Sequence, residues 1–570
     1  MELSGPHMHR CLKSPVIVLC ILEALYPYKV EARESTSSKA HLYDEDGPRE
    51  TFHYFERDLT GGRGAVAALA QTCKFLLEPC LDALWRHIFS LSLLLNCLDD
   101  TYVPLPDGAY GPRLRPGVLR DPGRFNNLNS LSLNWDRFNY YARRVKSCWT
   151  DDDDAIPNYV WFGLAASHKA PLLPRLQHLI WRGSDQSKLP YLYLLCSPVL
   201  QRLTVCLGTN ESGGSDNDQS AMVNLVSSLR LRSPSLEEVE IILDDDEEDM
   251  EEVCPSASWM VVAMHPLRSF SSASLIDLQA LTWLSLMPAL RSVNLTGNDA
   301  FLGLTTSLIF FPELKDCAVS GVCLEEMTHF LSCFHTRHSF TTISVETLGC
   351  APMGEIEPFI RALCRYCNPD TLTCLRLNFI DNLPLDGTPE LTIDYHVFTA
   401  LQQFSQLREF SIKARGIRWE DQFLKDMAPV WRSLRIFNVG TGDMPRRPLP
   451  DFSLQSLIPL ATFCPDLHHI GLQISNWDDP DPMRMAIQRP RKEHASLPEL
   501  HVRLGRDVDA PPKNLRAERR VADMLKALFP NIHSAWNTGV EFWIRHDWPE
   551  YQKLTPEGYA MLSAERNRPQ

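Results

Sequence analysis

Pro288-Ala-Leu290-Arg-Ser-Val293-Asn-Leu295 is the stretch on which the fold turns. Its last three residues run apolar, polar, apolar, the two-residue period of a strand with one covered face. Leu290, three residues earlier, packs in the turn that leads into that strand. The proline ahead of it ends a preceding helix and, having no N–H to donate, suits a strand entrance. One such string would mean little, but it recurs. It reads Pro174-Arg-Leu176-Gln-His-Leu179-Ile-Trp181, then Pro198-Val-Leu200-Gln-Arg-Leu203-Thr-Val205 and Pro234-Ser-Leu236-Glu-Glu-Val239-Glu-Ile241. Pro312-Glu-Leu314-Lys-Asp-Cys317-Ala-Val319 and Pro465-Asp-Leu467-His-His-Ile470-Gly-Leu472 follow. Copies without the proline are Leu372-Thr-Cys-Leu375-Arg-Leu377, Leu407-Arg-Glu-Phe410-Ser-Ile412 and Leu434-Arg-Ile-Phe437-Asn-Val439. Weaker ones are Leu128-Asn-Ser-Leu131-Ser-Leu133 and Leu500-His-Val502-Arg-Leu504.

Between copies lie segments with apolar residues at three and four, such as Leu324-Glu-Glu-Met-Thr-His-Phe-Leu-Ser-Cys333. The unit is therefore strand, turn, helix, and only stacking buries both apolar faces. This string resembles the leucine-rich repeat over roughly residues 125–505. Most successive copies lie roughly 22 to 36 residues apart, and the asparagine that usually follows the strand is mostly absent. The resemblance implies an α/β solenoid of irregular repeats with parallel strands on its concave face.

The chain has 570 residues, is 44% hydrophobic and carries a net charge of -15. Such a field disfavours phosphate backbones, so no nucleic acid is expected as partner. Seventeen cysteines, an odd number, are scattered at positions that suit a small apolar residue. They read as buried free thiols, and a cytoplasmic or nuclear location follows. No apolar run is long enough to span a bilayer, so no membrane is expected. Pro15-Val-Ile-Val-Leu-Cys-Ile-Leu22 has the look of a signal peptide, but it is short and ends at Glu23; it reads as a helix. Polar or charged runs at 208–219, 244–252 and 478–491 read as solvated excursions.

Residues 65–97 resemble the second half of an F-box, on Leu69, Cys73-Lys74 and Leu84-Trp85. Leu12-Lys-Ser-Pro15-Val-Ile17-Val-Leu-Cys-Ile21-Leu22 resembles the first half, as it runs in F-box proteins of mushroom-forming fungi, and Asn134–Lys146 resembles the stretch that joins F-box to repeats there. Val16 stands where an acidic residue is usual, and residues 26–64 separate the halves. The organisation expected is an F-box-like helical module at 1–100 with an inserted loop at 26–64, a solenoid at 101–510 and a helical cap at 511–570. The resemblance implies a substrate-receptor subunit of a cullin-type ubiquitin ligase. A Skp-type adaptor, and through it a cullin, would bind Leu12, Pro15, Ile17, Ile21, Leu22, Leu84 and Trp85. The alternative is a cap that only shields the first repeat, leaving a repeat scaffold without a ligase; an extracellular repeat receptor is a third class.

The residue between the two final apolar positions of each strand must face away from the core. Thr204, Glu240, Asn294, Arg376 and Ser411, with Lys413 two residues on, are therefore the expected target-binding face. Arg376 and Lys413 together suggest a local basic spot suited to an acidic or phosphorylated partner. No catalytic residues, metal or cofactor are expected. Cys364-x-x-Cys367 lacks a second pair for zinc. Gly61-Gly-Arg-Gly64 lacks the Lys-Ser/Thr of a phosphate loop. His468 and His469 alternate faces, and Asp151–Asp154 lacks the rest of a calcium loop.

Overall fold

The computed structural model describes residues 14–25, 62–98, 135–150, 156–167, 171–183, 186–207, 229–243, 258, 261–262, 264, 267–297, 301–304, 311–334, 336–347, 353–379, 393–414, 417–440, 452–476, 500–505, 528–529, 532–537 and 540–542. By contacts the chain divides into two units, Met1–Thr296 with Phe310–Glu313, and Gly297–Ile309 with Leu314–Gln570. Each is an α/β run of irregular leucine-rich-repeat coils; the first also carries a helical module. The copy at 128–133, the acidic run at 151–154 and the excursions at 208–219, 244–252 and 478–491 lie outside the described residues.

In the first unit, α1 (Pro15–Leu25), α2 (62–72) and α3 (Lys74–Trp85) form the helical module. Val18 and Leu22, one turn apart on α1, meet Val66 and Ala70 of α2 and Leu76 and Cys80 of α3 in a small buried core. The end of α3 runs straight into the first strand, β1 (His87–Ile88), so the sheet begins much earlier than residue 125. After α4 (Ser92–Leu95) and α5 (Trp135–Ala142) come β2 (Ser147–Thr150), α6 (Asn158–Ser167), β3 (His178–Gly183), β4 (Arg202–Leu207), β5 (Glu238–Leu243), β6 (Ser269–Leu275), α7 (Leu278–Ser285) and β7 (Ser292–Thr296). All seven strands pair in parallel in chain order. Cys148, Leu179, Leu203, Val239, Phe270 and Val293 stand in one buried row. Leu200, Leu203, Val205, Leu290, Val293 and Leu295 are all buried, as the repeat string requires.

The second unit repeats the scheme with β8 (Asp316–Val322), α8 (Leu324–Ser332), β9 (Thr342–Thr347), α9 (Met353–Tyr366), β10 (Cys374–Phe379), β11 (Ile393–Asp394), β12 (Glu409–Ala414), β13 (Ile417–Arg418), α10 (Asp421–Met427), β14 (Ile436–Gly440), β15 (Phe452–Ser453), α11 (Leu457–Phe463), β16 (His469–Asn476), β17 (Leu500–Gly505), β18 (Ile532–Asn537) and β19 (Val540–Phe542). The ladder β8-β9-β10-β12-β14-β16-β17-β18 is parallel, and Cys317, Ile343, Leu375, Phe410, Phe437 and Ile470 form its buried row. β11 and β13 pair separately. Phe410 packs on Trp431 at 4.9 Å between ring centres, and Trp419 on Phe423 at 4.2 Å, giving this unit an aromatic core.

The connections differ in helix type. The long connection into β10 holds the fourteen residues of α9, whereas the short one into β4 makes do with a 3-10 segment, Gln186–Leu194. Gly321, at a φ of 70°, lets β8 bulge so that Val319 pairs with Val345 but Val322 with Thr347. Among the described residues the tail is not the expected helical cap. β18 and β19 make an antiparallel hairpin, a strand pairing that ends the parallel ladder; most of the helix-like run 517–529 lies outside the described residues.

One backbone device repeats at most strand entrances of the two ladders. The carbonyl of the residue just before a strand accepts two N–H groups from the next coil. Arg86 O takes Lys146 N at 2.8 Å and Ser147 N at 3.0 Å. Lys146 O does the same for Gln177 and His178, and Gln177 O for Gln201 and Arg202. In the second unit Thr373 O takes Arg408 and Glu409, and Arg408 O takes Arg435 and Ile436.

Candidate interaction surfaces

The helical module leaves one side of α1 uncovered. Val18 and Leu22 point into the module core, so residues off that line point out: Val16 is 67% exposed and Leu19 55%. Ile17 and Cys20 are exposed beside them, and Phe75 and Leu77 are exposed on α3. The helix is packed on one side, and its open side carries Val16, Ile17, Leu19 and Cys20 as an apolar stripe that ends at the exposed Glu23, one turn beyond Leu19.

Of the expected adaptor contacts, Ile17 is exposed and Ile21 half-buried. Leu22 is a core residue of the module, 4% exposed, and is not on the open stripe. Leu84 is half-buried against the same core. Trp85 is half-buried and stacks on Tyr141 at 4.4 Å, so it faces α5. Pro15 opens α1, and Leu12 lies outside the described residues. Val16 and Leu19 escaped the sequence reading because the motif alignment, not the helical period, chose the positions.

A polar clamp ties α3 to α5. Arg144 is buried, and its guanidinium donates to Glu78 at 2.5 Å and to Asp82. Tyr140 donates to Glu78 at 2.5 Å, and Arg143 and Arg144 lie over the Tyr140 ring. The hydrogen bonds from Tyr140 and then Arg144 hold the Glu78 carboxyl below its usual range. Burial works against the Arg144 charge, but its bonds to Glu78 and Asp82 outweigh that and raise its pKa. Arg63, the arginine of the Gly-Arg-Gly string, reaches the carbonyls of Leu84 at 3.3 Å and His87 at 3.5 Å, at the carboxyl end of α3. His87 is buried, and burial followed by the nearby Arg86 lowers its pKa to about 3.

The strand face that looks away from the buried row is ordered by register. In the first unit Ile180, Thr204, Glu240, Ser271 and Asn294 stand in one line. In the second it is Ala318, Ser344, Arg376, Ser411, Asn438 and Gly471, with Lys413 one step along. The expected residues thus share a face, but they are largely occupied with one another. Thr204 is 4% exposed and donates to Glu240 at 3.0 Å; Asn294 donates to Ser271 at 3.2 Å. Ser411 is buried.

The expected basic spot needs correcting. Arg376 is 7% exposed and gives two hydrogen bonds to Glu409, at 2.5 and 2.7 Å. Burial opposes its charge, but the Glu409 bonds prevail and raise its pKa. Lys413 lies within electrostatic reach of Glu346, whose carboxyl is pushed up by burial and held by Asn378 at 2.8 Å. Arg376 therefore sits beside a carboxylate supplied by the neighbouring strand, and Lys413 acts on one that stands two strands away, on β9. Arg376 in a strand looked like a free cation in sequence because the acid that meets it, Glu409, lies one whole coil away.

Thirteen described cysteines are free thiols, most of them buried. Burial pushes the thiols of Cys196, Cys317 and Cys464 up to about 12. Cys364 donates to the Ala400 carbonyl at 3.5 Å, and Cys367 is buried beside it in the chain. Among the described residues no cluster of three or more His, Cys, Asp or Glu could hold a metal. No described helix is long and apolar enough to cross a membrane.

No family model matches this chain, and no curated protein does. Among solved structures it resembles a chain in the crystal structure of the Rad7 and Elc1 complex in yeast. The two are 16% identical, with a TM-score of 0.37, over 60% of this chain and 79% of that one. The fold assigned here rests on the strands and their registers, not on that likeness.

Proposed function

We propose that the protein is a substrate receptor of a cullin-type ubiquitin ligase, with the helical module docking a Skp-type adaptor and the repeats holding a target protein. The observation that carries this is the exposed apolar stripe of α1, led by Val16 and Leu19. A helix kept only to shield the first repeat would turn its apolar side inward. The clamp through Arg144 gives the module a fixed attachment to the first strands of its unit. Such a receptor does no chemistry. It raises the effective concentration of its target beside a charged enzyme and orients it.

The test is co-purification of the full chain with a Skp-type adaptor. Val16→Asp with Leu19→Asp should abolish it and leave the chain folded, because neither side chain enters the module core. If the unaltered chain does not retain an adaptor, the ligase reading falls and a repeat scaffold stands in its place.

A further inference from the structure

The strand entrances of the second unit carry a line of side chains that the open face does not absorb. The double hydrogen bonds made by the carbonyls of Arg408 and Arg435 stack Arg408, Arg435 and His468 on three successive coils. Neighbouring parallel strands lie about 4.8 Å apart, so the two guanidinium stems leave the backbone one strand spacing apart. Both arginines are exposed. Neither makes an ion pair among the described residues. Glu409, the adjoining carboxylate, is held by Arg376 at 2.5 and 2.7 Å. Asp370 and Asp466, on the turns to either side, are exposed and pair with neither arginine. His468 is half-buried, and its Nδ1 is buried without a hydrogen-bond partner. Elsewhere the rule is different. At the corresponding entrances of the first unit Arg268 meets Glu237 at 3.2 Å, and on its open face Arg202 meets Glu238 at 2.5 Å. Only at this edge do two adjacent coils bring arginines together with no described acid to answer them.

We propose that Arg408, Arg435 and His468 form an anion site that takes the phosphate group of a phosphorylated peptide. A carboxylate has two oxygens and is satisfied by one guanidinium fork. A phosphate monoester has three terminal oxygens, enough to accept from both arginines and the imidazole together. A long nucleic acid fits less well, because a chain of net charge -15 repels an extended polyanion while a single phosphate meets only the local field. The proposal rests on the repeats being a target-binding surface, but not on the adaptor.

The experiment is fluorescence polarisation with the full chain and three labelled probes. These are a short degenerate peptide pool with a fixed central phosphoserine, the same pool with serine, and a single-stranded RNA of mixed sequence. The phosphoserine pool should bind more tightly than the serine pool. Arg408→Ala with Arg435→Ala should weaken it by roughly tenfold or more, and Arg408→Lys with Arg435→Lys by less, since charge survives without the fork. Equal binding of the two pools, or binding unchanged in the alanine variant, overturns the site. RNA binding tighter than the phosphoserine pool and lost in the same variant replaces it with a nucleic-acid surface. Circular dichroism and thermal unfolding of the alanine variant, matched to the unaltered chain, are the fold control. If the unaltered chain never retains adaptor, the ligase reading falls alone, and the polarisation result still decides this site.

Discussion

Cutting the clamp between α3 and α5 from its two sides should have unequal effects, and the inequality follows from burial. The Arg144 side chain is 5% exposed, while Glu78 and Asp82 are 54% and 62% exposed. Arg144→Met removes a charge whose partners are already half in water and rehydrate easily. The methionine keeps most of the apolar stem in place. The loss should be about 1–2 kcal/mol, the scale of solvated hydrogen bonds to charged groups. Glu78→Ala with Asp82→Ala does the reverse. It leaves a guanidinium buried and unpaired, a change that typically costs about 3–5 kcal/mol. Alanine is the better helix former, so α3 itself offsets only a few tenths of that. A chain of two units need not unfold in one step, so the assay is native-state hydrogen exchange on the amides of α3 and α5. Protection there should fall further in the acid double variant than in Arg144→Met. Adding Arg144→Met to the acid variant should restore protection, since the stranded charge is gone. Equal or reversed losses would refute the reasoning.

Three further outcomes are expected. Leu290→Ala, at a fully buried position of the repeat string, should destabilise by roughly 2–5 kcal/mol, read from the shift in thermal unfolding. His87 should make the first unit acid-sensitive. Its imidazole has a pKa of about 3 when folded and 6.5 in the unfolded chain, so the unfolded state takes up the proton first as pH falls. Stability present above pH 6.5 should then decline by about 1.4 kcal/mol per pH unit down to pH 3, and His87→Leu should flatten that slope in pH-dependent denaturant melts. In native alkylation followed by mass spectrometry, Cys20 and Cys323, both exposed, should react. Cys196, Cys317 and Cys464 should react only after denaturation.

Among the described residues, each copy of the repeat string read from the sequence is a strand. Three of the strands it missed depart from the string in one position. β6 follows Leu267-Arg-Ser-Phe270-Ser-Ser272, with a buried serine in the last position, and β2 follows Val145-Lys-Ser-Cys148-Trp-Thr150, with a buried threonine. β9 opens from Phe340 in place of leucine. Each is covered by packing with its neighbours, which a string read alone does not contain. For the surfaces, alternation along a strand settled which residues share a face, because that is local geometry. It did not settle which of them are available. Arg376 is silenced by Glu409 and Thr204 by Glu240, both from the next strand. The distance between such partners along the chain is set by coil length, and no short motif records it. The adaptor stripe was readable in principle. Val18 and Leu22 lie one turn apart, so the apolar Val16 and Leu19 had to face elsewhere.

The paired N–H bonds at these strand entrances have a genetic consequence. Alignment between coils is re-established at one carbonyl per turn of the chain, by Arg86 for the second strand, Lys146 for the third and so on. Whatever lies between two entrances does not enter that alignment. A codon gained or lost between Gln201 and Glu237 changes the length of one connection, while Gln201 O still receives Glu237 and Glu238. Length errors are thus confined to the coil in which they arise. A lineage of such chains can vary its connections freely, and the strands stay in phase.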